Sequence, residues 1–208
     1  MNLRSFADVF RDAEAGPLLE AEIISLTDKG KLRVTYHWLY SALNCAPEDT
    51  SSFPWILTKI DETRVSLSPK NGPGRTVYAS VRDDWYWFVQ VQAPRSADWI
   101  TAVARNEVMV MTAPGLQMIR LQGWNGQFIA VDSKISRDAR HGGYRLLSVG
   151  AADPKPYTWF LAVTSVLQAG VDVPRKEQLT LDDVRAALAS SGLETTDAEA
   201  VALHRLLS

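Results

Sequence analysis

One cysteine, Cys45, occurs in 208 residues. That excludes an intramolecular disulfide framework and a cysteine-rich zinc site. The three histidines, His37, His141 and His204, are too scattered to form a ligand set, and there is no His-x-x-x-His. Neither Gly142-Gly143 nor Gly72-x-Gly74 is followed by the Lys-Ser/Thr of a phosphate loop, so both read as turns. Long apolar runs are missing too: none approaches the ~18 residues of a membrane span. Residues 1–16 hold no uninterrupted apolar stretch of the signal-peptide kind. The expectation is a chain with no metal, no cofactor and no membrane span, cytoplasmic in location, with export by a route that needs no cleaved signal left open. An excess of positive charge is also lacking. The net charge of −2 gives no general attraction to phosphate backbones. The best local basic cluster, Arg137, Arg140, His141 and Arg145, is diluted by Asp132 and Asp138. No nucleic-acid partner is expected.

What the chain does have is core-forming material. Hydrophobic residues make up 46% and charged residues 22%, ordinary values for a folded domain and unlike those of a disordered one. Short candidate strands follow one another with Gly, Pro, Asn or Asp between them: 20–26, 32–40, 55–60, 64–67, 76–81, 85–91, 100–104, 107–111, 118–122, 127–131 and 144–149. Strands at that spacing suggest a barrel or sandwich. The clearest hairpin signal is Asn125-Gly126, since a two-residue type I′ turn needs positive φ at both central positions. Before the strands, residues 1–15 read as a short amphipathic helix through Leu3, Phe6, Val9 and Phe10, ended by Gly16-Pro17.

The character changes at Pro154-Lys155-Pro156. Residues 158–170 are almost all apolar and read as a buried helix. Thr180 with Asp183, and Thr196 with Glu199, are two capping boxes that open amphipathic helices. The expected organisation is an N-terminal helix at 1–19, a β domain at 20–152 and a helical subdomain at 157–208. The helical part is expected to dock on the β body or to mediate homo-oligomerisation.

Three segments share an order of paired strands followed by an aromatic-led strand: 32–61, 64–92 and 107–150. In the third, Leu121, Gly123, Asn125, Gly126, Gln127, Phe128, Ile129, Ala130, Val131 and Asp132 carry a strand, a tight turn and an "NGKYLAVD"-like return strand. That segment resembles a repeat of the fascin-like β-trefoil group, the match being confined mainly to residues 107–150. Gln122-Gly123-Trp124 is also literally the Gln-x-Trp triplet of ricin-type lectin trefoils. It occurs once and runs straight into the turn, so it is read as coincidence. The resemblance implies a mainly β, trefoil-like barrel, a fold commonly used to bind sugars or proteins. Another small barrel or sandwich with the same tail is the second choice of fold.

Candidate functional residues are few. Of the seven tryptophans, Trp55, Trp87 and Trp159 sit in apolar runs and are expected in the core. Trp124, beside the Asn125-Gly126 turn, is the one expected to be exposed, and an exposed tryptophan is the usual platform for a sugar ring. Asn125, Gln127 and Asp132 would supply hydrogen bonds. Asp83-Asp84 reads as a solvated turn. Cys45, placed in a loop at 44–52, has nothing near it in sequence to activate a thiol. The expectation is therefore a non-enzymatic module that binds a glycan or a protein surface. The alternative is a scaffold component, toxin- or secretion-associated, that oligomerises through residues 157–208.

Overall fold

The structure is a computed structural model. It describes residues 6–26, 29–36, 41–46, 51–61, 65–71, 78–82, 86–90, 109–112, 118–122, 128–135, 145–150, 158–190 and 195–207. Among these residues lie twelve antiparallel strands in one sheet, with helices before and after them. Helix α1 spans Phe6–Asp12. The strands are β1 (Gly16–Ser25), β2 (Lys31–Tyr36), β3 (Ser41–Ala46), β4 (Trp55–Lys59), β5 (Val65–Pro69) and β6 (Tyr78–Arg82). They continue with β7 (Tyr86–Gln90), β8 (Met109–Thr112), β9 (Met118–Gln122), β10 (Phe128–Ile135), β11 (Arg145–Gly150) and β12 (Thr158–Val166). A single 3-10 turn at Lys176–Gln178 leads into α2 (Leu181–Ser190) and α3 (Asp197–Leu207). No helix among the described residues is long and apolar enough to cross a membrane.

The pairing has a definite plan. One run of hydrogen-bonded neighbours goes β5, β4, β1, β12, β9, β8. The hairpins β2–β3, β6–β7 and β10–β11 stand off that run and join each other, since β3 pairs with both β7 and β11.

Two expectations are corrected by this plan. Residues 158–170 are not a helix: Thr158–Val166 is β12, paired with β1 from Leu19↔Val166 to Ser25↔Trp159. The misreading has a physical cause. Trp159, Leu161 and Val163 face the main core, while Phe160 and Ala162 face a second core under the C-terminal helices. A strand buried on both faces loses the polar alternation that marks a strand and reads as a continuous apolar run. Cys45 is not in a loop either. It lies on β3, opposite Leu32 and Arg145, and is completely buried. The candidate strand at 100–104 and the Pro-flanked break at 152–156 fall outside the described residues.

The main core is built from Leu19, Ala21, Ile23, Leu32, Trp55, Leu57, Leu67, Ile119, Leu121, Trp159 and their neighbours. Trp55 and Trp159 are in it, as their apolar surroundings in the sequence suggest. The second core joins Ile24, Leu26, Phe160 and Ala162 of the sheet to Val184, Leu188, Ala200, Leu203 and Leu207 of α2 and α3. The helical tail therefore docks on its own sheet. Gly170, at φ +81°, takes the left-handed conformation that turns the chain after β12 towards the tail. Both capping boxes form as read: the Thr180 hydroxyl accepts from the Asp183 N–H at 3.2 Å, and the Thr196 hydroxyl from the Glu199 N–H at 3.3 Å.

Helix α1 has a cap that local sequence does not announce. The Lys59 ammonium, on β4, donates to the carbonyls of Phe10 (2.8 Å) and Arg11 (2.9 Å) and also to that of Ala13. It also lies 5.2 Å from the centre of the Phe10 ring. A cation at a helix C-terminus satisfies open carbonyls and opposes the negative end of the dipole. Lys59→Met would remove the charged donor from those carbonyls, at a cost of about 1–3 kcal/mol. Loss of amide protection over residues 9–13, with the β1–β12 ladder unchanged, is the expected signature. A variant as stable as wild type would show the cap to be dispensable.

Candidate functional site

Trp124, Asn125 and Gln127 lie in the connection from β9 to β10, at 123–127, outside the described residues. Its two ends are described. Phe128 pairs with Gln122. A plain two-residue turn at Asn125-Gly126 would set Ile129 opposite Gln122 instead, so the ladder is one residue out of that register. The Asn125-Gly126 turn itself lies outside the described residues.

Asp132 lies on β10. The β10–β11 ladder is regular from Phe128↔Gly150 to Val131↔Leu147 and resumes only at Ile135↔Arg145. Asp132 is the first residue of that interruption. Interruptions of this kind re-aim side chains and recur next to binding sites. Of the other candidates, Asp83-Asp84, His37 and His141 fall outside the described residues. His204 is on α3, with Nε2 3.2 Å from the Leu179 carbonyl oxygen. Among the described residues no group of three or more His, Cys, Asp or Glu could hold a metal ion.

A charged cluster that the sequence reading missed lies on the outer face of β1. Alternation puts Leu19, Ala21 and Ile23 inward and Glu20, Glu22 and Ile24 outward. Glu22 is only 1% exposed. Its Oε1 accepts from the Lys31 ammonium at 3.1 Å and from the Phe53 N–H at 3.1 Å, and its Oε2 faces the Lys176 ammonium at 3.7 Å. Lys31, itself buried, also reaches the Ser51 carbonyl. Glu20, two positions along, pairs with Lys70 at 2.8 Å.

Two carboxylates on one strand face raise the question of acid–base chemistry. Burial by itself works to raise the Glu22 pKa, but hydrogen bonds from Ser52 and Lys31 and the charges of Lys31 and Lys176 outweigh it. The carboxyl is held below its ordinary value. A general acid or base is effective when its pKa lies near the working pH. Glu22 is displaced the other way and has no proton to give at neutrality. The cluster is built to join β1, β2, the approach to β4 and the 3-10 turn. A Glu-x-Glu in an apolar run was the only sequence signal for it.

No protein-family model matches the sequence, and no curated protein does. Solved structures do resemble the fold. The SDF2-like protein from Arabidopsis thaliana is 12% identical with a TM-score of 0.51, over 72% of this chain and 95% of that one. A salivary protein of the cysteine- and tryptophan-rich family from Culex quinquefasciatus is 10% identical with a TM-score of 0.48, over 72% and 94%. The lysenin pore is 12% identical with a TM-score of 0.43 over 73% of this chain, which spans 50% of the lysenin chain. Such a likeness concerns the fold alone. The chain is mainly β, with an antiparallel sheet and a few helices, and its neighbours are trefoil-like.

Proposed function

We propose that the chain is a β-trefoil working as a non-enzymatic binding module for a glycan or a protein surface, with its site at the β9–β10 connection. The strand plan carries the fold. The six-strand run β5, β4, β1, β12, β9, β8 would close into a barrel by bringing together its two end strands, β5 and β8, which approach each other. The three mutually joined hairpins would cap it. Each unit is then one barrel strand, a hairpin and a second barrel strand: β1–β4, β5–β8 and β9–β12.

In that frame the connection carrying Trp124, Asn125 and Gln127 leads from a barrel strand into a capping hairpin. The interrupted stretch of β10 that begins at Asp132 follows it. Trp124 would stack on the apolar face of a sugar ring, Asn125 and Gln127 would donate and accept hydrogen bonds, and Asp132 would accept from a hydroxyl. The reading of the tail as an oligomerisation element has less support, because the apolar faces of α2 and α3 lie against the chain's own sheet.

The test is a broad glycan array probed with wild type and Trp124→Ala side by side. The expected result is a saccharide signal that is lost in the variant while thermal stability is kept. A signal that survives the substitution would move the site elsewhere, and a blank array would leave the protein-surface reading in place of the sugar.

A further inference from the structure

Two ion pairs cross the seam between the helical tail and the sheet. In one, the carboxylate belongs to the sheet: Glu22 on β1 faces Lys176 of the 3-10 turn at 3.7 Å. In the other, it belongs to the tail: Glu199 on α3 pairs with Lys29, before β2, at 3.3 Å. The second core, Ile24, Leu26, Phe160 and Ala162 against the helices, lies at this same seam. It is separate from the core inside the sheet. We propose that the tail, from the 3-10 turn to the end of α3, opens from the sheet as one unit on acidification while the strand ladders stay intact.

The separate cores supply the first half of the argument. Cooperative opening units coincide with parts that own their packing and share little of it with the rest. The tail touches the outer faces of β1 and β12, and the inner faces of those strands are held by other residues. The carboxylates supply the second half. Around Glu22 the facing groups are Lys31 from β2, Lys176 from the tail, Ser52 and the Phe53 N–H from the approach to β4, and the Glu20–Lys70 pair beside it. Neutralising Glu22 removes the charge that holds Lys176 of the tail against β1, and it weakens the buried pair with Lys31 beside it. Glu199 serves twice, capping α3 through Thr196 and pairing with Lys29. Asp183 caps α2 in the same way through Thr180. Of the other charges on the described tail, Arg185 bridges to Asp182 and Asp197 and Arg175 to Glu177, and Arg205 is exposed on α3. His204 Nε2 lies 3.2 Å from the Leu179 carbonyl oxygen, a contact made within the tail.

The sign is fixed by the direction of the shifts. Burial works to raise the Glu22 pKa, but its bonds and neighbouring charges hold it down, and bonds from Thr196 and Lys29 hold Glu199 down. Both contributions are present above the unfolded carboxylate pKa, about 4.3. They are lost as the pH falls through the lower folded values.

Hydrogen exchange on the full chain, stepped from pH 7 to pH 3 and corrected for intrinsic exchange, tests this. Protection over 181–190 and 197–207 should fall by about tenfold or more, the equivalent of one pKa unit, before the β1–β12 ladder changes. In Glu22→Gln/Glu199→Gln the tail should be less protected at pH 7, and its step with pH should shrink. Tail and ladder losing protection together would overturn the proposal, as would an unchanged step in the double variant. If that variant does not fold, Glu199→Gln alone, at a half-buried position, and the wild-type order of loss decide it.

Discussion

Trp55→Ala should destabilise the chain by about 3–5 kcal/mol, the range for emptying a buried aromatic position. Trp55 has no exposed surface and packs with Leu57, Leu19 and Leu32 in the main core. Its ring lies 5.4 Å from that of Phe53, tilted, with the Arg33 guanidinium 5.3 Å over Phe53. The indole N–H donates to the Leu32 carbonyl at 2.9 Å, tying β4 to β2. The substitution therefore removes volume and leaves a carbonyl without its donor. Trp55→Phe separates the two effects, keeping most of the volume and losing only the bond, for about 1–3 kcal/mol. Urea unfolding of the three proteins gives both numbers. Equal losses in the two variants would mean that the hydrogen bond dominates and the cavity relaxes away. Domains commonly have about 5–15 kcal/mol of stability in all, so Trp55→Ala approaches the limit of folding.

Glu22→Ala should be nearly as damaging, about 3–5 kcal/mol, because it removes one partner of the buried Glu22–Lys31 pair. The compensated replacement Glu22→Leu/Lys31→Met removes both charges and keeps the volume, so it should recover much of the loss. The pH dependence follows from the lowered Glu22 pKa. The stabilisation holds at neutrality and declines below about pH 4.3, the unfolded carboxylate value. Below that point the urea midpoint of wild type should fall relative to that of the double replacement, which has neither group to titrate. If they remain as far apart at pH 3 as at pH 7, Glu22 is not the titrating group.

How much of this was legible in the sequence depends on where the determining contacts lie. Strands bounded by turn residues and facing one core were readable: β4, β5 and β9 lie within a residue or two of their expected places. The two capping boxes were readable because their geometry is local, three residues apart. β12 was not, because its second apolar face exists only for helices that come later in the chain. β3 was not, because Asn44 and Cys45 gain their partners Arg33, Leu32, Leu146 and Arg145 from distant positions. For the candidate site, the sequence places Asp132 on a return strand and the structure agrees. The interruption of the ladder that begins there depends on the β11 register, which no local pattern encodes. The Glu22 cluster is largely non-local: Lys31 is nine positions on, but the Phe53 N–H and Lys176 come from distant parts of the chain.

The pairing of β1 with both β4 and β12 also sets a clock. Thr164 donates its hydroxyl to the Glu20 carbonyl from 144 positions away, and β1 finds its β12 partner at the same remove. During synthesis at about 5–20 residues per second, β1 waits many seconds with its inward apolar residues, Leu19, Ala21 and Ile23, uncovered by that partner. Pairings of such long range are also slow to form once the partner is available. The strand at the centre of the finished molecule is thus the segment most exposed to wrong association while it is being made. Holdase chaperones acting on the emerging chain should affect yield more than any change at its finished surface.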